Sequence, residues 1–308
     1  MMARLGEFLG KQGRLLLEND RLALLYIAVL ALIPFAAWLS AAVVALITLR
    51  KGWLDGFKGF VVATLTLLIL SLPSMPLSAA VITALMAFLP CYLTAALLHS
   101  TTSLKIAGFF IVLQALLVIA LIHWLAPEFI SNQYLYVQAI IKELERESSD
   151  GNMTSLLSNN EAVNKIVIAN YIVGVQAVSV LLSAVVSLLL ARSVQSRLYY
   201  PGGFKRDLVA FRASGFGVII LAIAMIGAYR HNPLALSCLP VLAVYYVFAG
   251  LSLSFNVLAK DKGVGTLALL LVPLILLPFV MLPVYVIFGA LDSLFNFRLH
   301  LSPNAGGK

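Results

Sequence analysis

Gln176, Ser179, Ser183 and Ser187 follow one another at steps of 3, 4 and 4 residues inside an otherwise apolar run. That spacing lines them along one face of a helix. Amide and hydroxyl groups on such a face suit two kinds of chemistry. They can line a cavity for a small polar solute, or form a seam where helices approach closely and exchange hydrogen bonds. Gln114 lies in a second apolar run and either pairs with this stripe or touches a ligand. Asn256 is a further amide in such a run. We take Gln114, Gln176, Ser179 and Ser183 as the candidate substrate pocket.

The groups needed for acid–base catalysis are missing from the apolar runs. No Asp, Glu, Lys or Arg sits deep within one, and Asp55 and Lys58 lie near enough to an end to snorkel to the surface. Proton-coupled pumps usually carry intramembrane carboxylates, so their absence argues against that class. His99, His123, His231 and His300 are scattered near segment ends with no partner at ligand spacing. Cys91 and Cys238 are far apart and read as small buried side chains. No HExxH, phosphate-binding loop or GxSxG is present. We expect no enzyme, no cofactor and no metal.

The second candidate site is cationic. Arg192–Arg212 reads RSVQSRLYYPGGFKRDLVAFR, and Pro201-Gly202-Gly203 forces a turn within it. Phe204, Leu208 and Phe211 then face lipid or a neighbouring protein, with Arg192, Arg197, Lys205, Arg206 and Arg212 around them. This is either a membrane-surface anchor or a docking site for a cytoplasmic protein partner. Gly52, Gly56 and Gly59, beside Arg50 and Lys51, permit close backbone contact at a helix entrance.

The elements that position these residues are membrane helices. The chain is 62% hydrophobic and only 11% charged, too little polar surface for a water-soluble domain of this size. Apolar segments run over 22–49, 53–72, 77–98, 106–125, 166–191, 213–229, 234–259 and 266–291. A spanning helix needs about 20 such residues, so we expect an all-α, polytopic helical membrane bundle of about eight segments. The first, Leu22–Leu49, would extend about 42 Å as one helix, against a hydrocarbon core of about 30 Å. Pro34 near its middle predicts a broken or re-entrant hairpin. The last run holds Pro273, Pro278 and Pro283 and is either one kinked helix or two that double back.

Charge orients the bundle. With segments alternating from residue 50 onward, one side collects eleven Lys and Arg at 50–58, 99–105, 192–212 and 260–262, while the other holds four. Lys and Arg favour the cytoplasmic side. The net charge of +8 therefore belongs to lipid-facing connectors rather than to nucleic-acid binding, and membrane lipids are expected partners. Residues 1–21 read as a cytoplasmic interfacial helix that remains on the mature chain. Membrane segments fill 22–125, an external amphipathic segment 126–165, further membrane segments 166–291 with the basic loop 192–212, and a tail 292–308. In the external segment Ser148–Asn152 reads as a turn between two short surface helices, and the sequon at Asn152 is taken as chance.

Arg50-Lys51-Gly52, Pro201-Gly202-Gly203-Phe204-Lys205-Arg206, and Gly289 with Asp292, Phe297 and Arg298 resemble the YybS-like bacterial membrane proteins, a domain of unknown function. That family is distantly similar to the substrate-binding subunits of energy-coupling-factor transporters. The resemblance implies a bacterial inner-membrane setting and a bundle with an early broken segment, and it supplies no catalytic residue. We therefore expect a membrane subunit that binds a small-molecule solute. The alternative is a non-enzymatic scaffold recruiting cytoplasmic partners through its basic loop.

Overall fold

The computed structural model describes residues 2–147, 161–258 and 263–298, and among these it contains thirteen helices and no strand. In chain order they are α1 (Met2–Glu18), α2 (Asp20–Leu32), α3 (Ala37–Lys51), α4 (Trp53–Ser71), α5 (Leu77–Thr101), α6 (Leu104–Leu125) and α7 (Pro127–Glu147). From residue 161 onward come α8 (Glu161–Tyr199), α9 (Gly203–Ala210), α10 (Gly215–Tyr229), α11 (Pro233–Leu258), α12 (Gly263–Leu276) and α13 (Pro278–Phe295). Among the described residues α4, α5, α6, α8, α11 and α13 are long and apolar enough to cross a membrane, and the pair α9–α10, bent by 50°, is a seventh candidate. With α2–α3 and α12 added, these occupy all eight apolar segments of the sequence. The expected turn at 148–152, the sequon, Lys260, Lys262 and the tail from 299 onward lie outside the described residues.

The chain divides into two compact units. The first comprises 1–111 and 180–211, and the second 112–179 and 212–308.

In the first unit the segment Leu22–Leu49 is a hairpin. Pro34 cannot donate to a helical ladder and restricts the residue before it. Helix α2 accordingly stops at Leu32, Phe35 takes a left-handed φ of 62°, and α3 begins at Ala37. Lys51, at the end of α3, ion-pairs with Asp20, at the start of α2, and the Ser40 hydroxyl donates to the Ile27 carbonyl (2.9 Å). The two ends therefore meet, and neither helix, at about 20–23 Å of rise, covers a ~30 Å core. Asn19 caps α2 by accepting from the Arg21 and Leu22 amides (3.2 and 3.3 Å). Helices α4 and α5 pack against α3. Gly56 lies so close to Thr48 that a methyl group there would collide with its side chain. Helix α1 lays Gly13, Leu16 and Leu17 inward while Lys11, Arg14 and Glu18 stay exposed. A side chain at Gly13 would meet Val194 and Leu198 of α8, so the expected interfacial helix is docked on the bundle.

The second unit holds the other broken segment. The Tyr285 hydroxyl donates to the Leu270 carbonyl (3.0 Å), joining positions on either side of the break at Leu277 and showing that α12 and α13 double back. Val247 of α11 packs with Leu270 and Tyr285 beneath them. Helices α11 and α13 approach closest at Gly250 and Gly289, where any added carbon would run into the Tyr285 or Tyr246 carbonyl. The Arg212 guanidinium donates to the Asp292 and Ser293 carbonyls (2.9 and 2.8 Å), satisfying the free end of α13.

One connector differs from its reading in sequence. The stretch from Arg192 is helical to Tyr199, since α8 runs 39 residues in all. Its first eight residues extend a membrane helix, the turn sits at Gly202 with φ 82°, and α9 follows. Polar side chains ended the apolar pattern at Ala191 without ending the helix, because Gln, Arg and Leu are good helix formers.

Candidate functional site

In the second unit three long helices bring polar side chains together. Asn170 of α8 and Ser237 of α11 are buried, and His123 of α6 is half-buried. The His123 ring nitrogens lie 2.9 Å from the Ile119 carbonyl and 3.0 Å from Asn170 Oδ1, so both face oxygen acceptors. The Asn170 amide nitrogen donates to the Ile166 carbonyl (2.7 Å), and the Ser237 hydroxyl donates to the Asn170 carbonyl (2.9 Å). Ser237 Oγ also lies 3.4 Å from His123 Nε2. Close approach of the helices makes this possible. A carbon added at Gly174, one turn from Asn170, would lie 2.9 Å from the Pro240 ring of α11, and Pro240 itself withholds one ladder hydrogen bond from that helix.

The candidate pocket residues lie on α6 and α8. Gln176 is exposed on α8 and donates to Gln133 of α7 (3.0 Å). Ser179, also exposed, returns its hydroxyl to the Val175 carbonyl (3.1 Å). Gln114 is half-buried on α6, nine residues before His123. Ser183 is half-buried in the first unit, where its carbonyl accepts from Ser187 (2.7 Å). Ser187 is buried and also bonds the Trp38 carbonyl of α3 (2.7 Å). The four-residue stripe is thus not one continuous lining: its Gln176 end meets α7, and its Ser187 end is a packing seam. Asn170 was the polar residue to notice, being an amide in the same apolar run as Gln176. His123 and Ser237 become visible only once three distant segments are in contact.

The family model described as "Predicted membrane protein (DUF2232)" matches residues 21–293. The chain belongs to the DUF2232 family. No curated protein and no solved structure matches it. Membership agrees with the YybS-like resemblance and makes this a multi-pass membrane protein. The matched stretch contains both broken hairpins and the His123–Asn170–Ser237 cluster, and leaves α1 outside.

The basic end of the first unit is the other concentration of polar groups in this DUF2232 protein. Arg192 binds Asp207 of α9 through Nε (2.8 Å) and Gln195 through a terminal nitrogen (2.8 Å). Gln195 passes the connection on to the Leu49 carbonyl (3.0 Å), which His99 Nδ1 also approaches at 3.0 Å. The last turn of α3 is thereby capped by side chains from α5 and α8, and α9 is clamped to the same network. Ser196 completes the elbow by accepting from the Phe204 amide (2.9 Å). Lys51 holds the Asp20 carboxyl below its ordinary 3.8, first through their hydrogen bond and then through charge. The five candidate contact residues separate accordingly. Arg192 and Arg212 are committed internally, whereas Arg197, Lys205 and Arg206 are exposed.

A buried ion pair marks one end of the second unit. Asp292 has no exposed surface, and its Oδ2 accepts from Arg298 Nε (2.9 Å), whose guanidinium also reaches Ser252 (3.3 Å). Asp292 Oδ1 is buried with no hydrogen-bond partner. Among the described residues there is no group of three His, Cys, Asp or Glu side chains suited to a metal ion.

Proposed function

We propose that this protein is a solute-recognition subunit of a bacterial inner-membrane transport system, with its basic end toward the cytoplasm. The carrying observation is the convergence of His123, Asn170 and Ser237 from three spanning helices, with the Gln133–Gln176 pair nearby in sequence on α7 and α8. Buried polar groups are costly in an apolar domain unless they are hydrogen-bonded. A cluster of hydrogen-bonding groups without a carboxylate, ammonium or guanidinium suits an uncharged or zwitterionic small molecule that exchanges hydrogen bonds with it, and it discriminates against analogues lacking those groups.

The test is ligand-dependent stabilisation. Protein extracted gently should carry a small molecule in native mass spectrometry, and a metabolite panel should contain a compound that raises its melting temperature. Gln176→Ala, which alters only an exposed side chain, should weaken that response, and Asn170→Ala should abolish it. Protein without a bound molecule and with no response across the panel would refute the reading.

The scaffold alternative draws on a different observation, the exposed Lys205 and Arg206 on the clamped α9 elbow. It requires cytoplasmic proteins to be recovered with wild type but not with a Lys205→Gln, Arg206→Gln variant, while Asn170→Ala leaves recovery unchanged.

A further inference from the structure

We infer that the elbow formed by the end of α8 and by α9 is a docking surface for anionic phospholipid. Among the described side chains of the first unit there are eleven Lys and Arg against four Asp and Glu. Three of those acids are already spent, Asp20 on Lys51, Asp55 on Lys58 and Asp207 on Arg192. That leaves Glu18 facing a much larger set of exposed cations, so the surface is complementary to a multiply presented anion.

The local arrangement favours a lipid over an acidic protein. Arg197, Lys205 and Arg206 are exposed within ten residues of one another, and Tyr199 and Tyr200 between them are exposed as well. The Arg50 guanidinium stacks 4.0 Å over the Tyr199 ring. Trp53, Leu54 and Phe57, just beyond Arg50, present large apolar surface. Cations above exposed aromatic and aliphatic side chains match a phosphodiester above acyl chains, and Trp and Tyr favour that depth. A water-soluble acidic partner would leave the apolar rim unsatisfied. Arginine can grip two phosphate oxygens at once, while lysine supplies a point charge. The elbow is held in place for this role: the Asp207–Arg192–Gln195–Leu49 network ties it to the end of α3. A headgroup bound there also braces the base of the α2–α3 hairpin.

The experiment uses the full chain in nanodiscs of phosphatidylcholine with added phosphatidylglycerol. Wild type should retain phosphatidylglycerol preferentially in native mass spectrometry and melt at higher temperature as its fraction rises, with the preference falling as salt is added. Each cation near an anionic surface contributes about 1 kcal/mol, so Arg197→Gln, Lys205→Gln and Arg206→Gln together should weaken the preference about a hundredfold. The variant should melt like wild type in pure phosphatidylcholine, because the three side chains have no ion-pair partner among the described residues. Equal retention of the two lipids by wild type, or an unchanged preference in a variant that melts normally, overturns the proposal. So does displacement of phosphatidylglycerol by a cytoplasmic protein that binds through the same three residues.

Discussion

Gly289→Ala isolates the contact that holds the second broken hairpin. The carbon it adds points at the Tyr246 carbonyl and would also lie 2.9 Å from the Gly250 nitrogen and 3.1 Å from the Ala249 methyl group. The opposing atoms belong chiefly to the backbone of a buried helix, so no side-chain rotation relieves the clash; α11 and α13 must separate. Overpacking of this kind costs about 1–3 kcal/mol, and a rigid opponent places it at the upper end. Replacing an interior helical glycine returns up to about 1 kcal/mol through backbone entropy. The net loss is therefore about 2 kcal/mol, which corresponds to several degrees of melting temperature in a domain of this size. Gly265→Ala is the matched control, because an added carbon there meets nothing within 4 Å. Melting of both variants, followed by size-exclusion chromatography of heated detergent extracts, should show Gly289→Ala falling by several degrees and Gly265→Ala unchanged or slightly higher. Equal melting temperatures would refute the direct helix contact and, with it, the packing that seats α13.

Three further outcomes follow from the ion pairs and the topology. Asp292→Asn removes the charge facing Arg298, and breaking a buried pair costs about 3–5 kcal/mol; adding Arg298→Met should restore most of the lost melting temperature. The Asp20 carboxyl lies below its ordinary value in the folded protein. Its tie to Lys51 is therefore complete above pH 3.8 and lost as pH falls through the lowered value, so hydrogen-exchange protection at the start of α2 should show an acid step that Lys51→Gln abolishes. Cysteines introduced at Gly202 and Phe297 should react with an impermeant reagent from one side of the membrane, and those at Pro73 and Asn232 from the other.

Membrane residence and the first hairpin were legible in the sequence for direct reasons. Long uncharged runs have few other fates, and a 28-residue run exceeds the core unless Pro34 breaks it. The second hairpin is not decided by sequence, because three prolines allow either a kink or a reversal; Tyr285 reaching back to Leu270 decides between them. The site was less legible. Helical periodicity places Gln176 and Ser179 on a face but cannot say what stands opposite, and their partners turned out to be Gln133 and α8's own backbone. The cationic residues illustrate the same limit. Five looked equivalent by type, yet Asp207 and the last carbonyls of α13 engage two of them and leave three outside.

The chain's reversals fall into two chemical kinds, apolar hairpin tips and polar connectors. At the first hairpin tip Phe35 is 95% exposed beside exposed Ile33, and at the second Phe279 is 93% exposed beside Leu276 and Leu277. Neither tip carries a polar side chain, which a water-facing turn would favour. Pro34 and Pro278 have no N–H to lose, Ala36 donates to Ile33 (3.1 Å), and Leu277 donates to Pro273 (2.9 Å). By contrast the α10–α11 connector is Arg230-His231-Asn232, and Asn232 caps the next helix through the Ala235 amide (3.2 Å). An unsatisfied backbone group in hydrocarbon costs several kcal/mol, and at each tip proline removes one donor that would otherwise need a partner. The prolines at 34 and 278 thus set where the two helix pairs reverse.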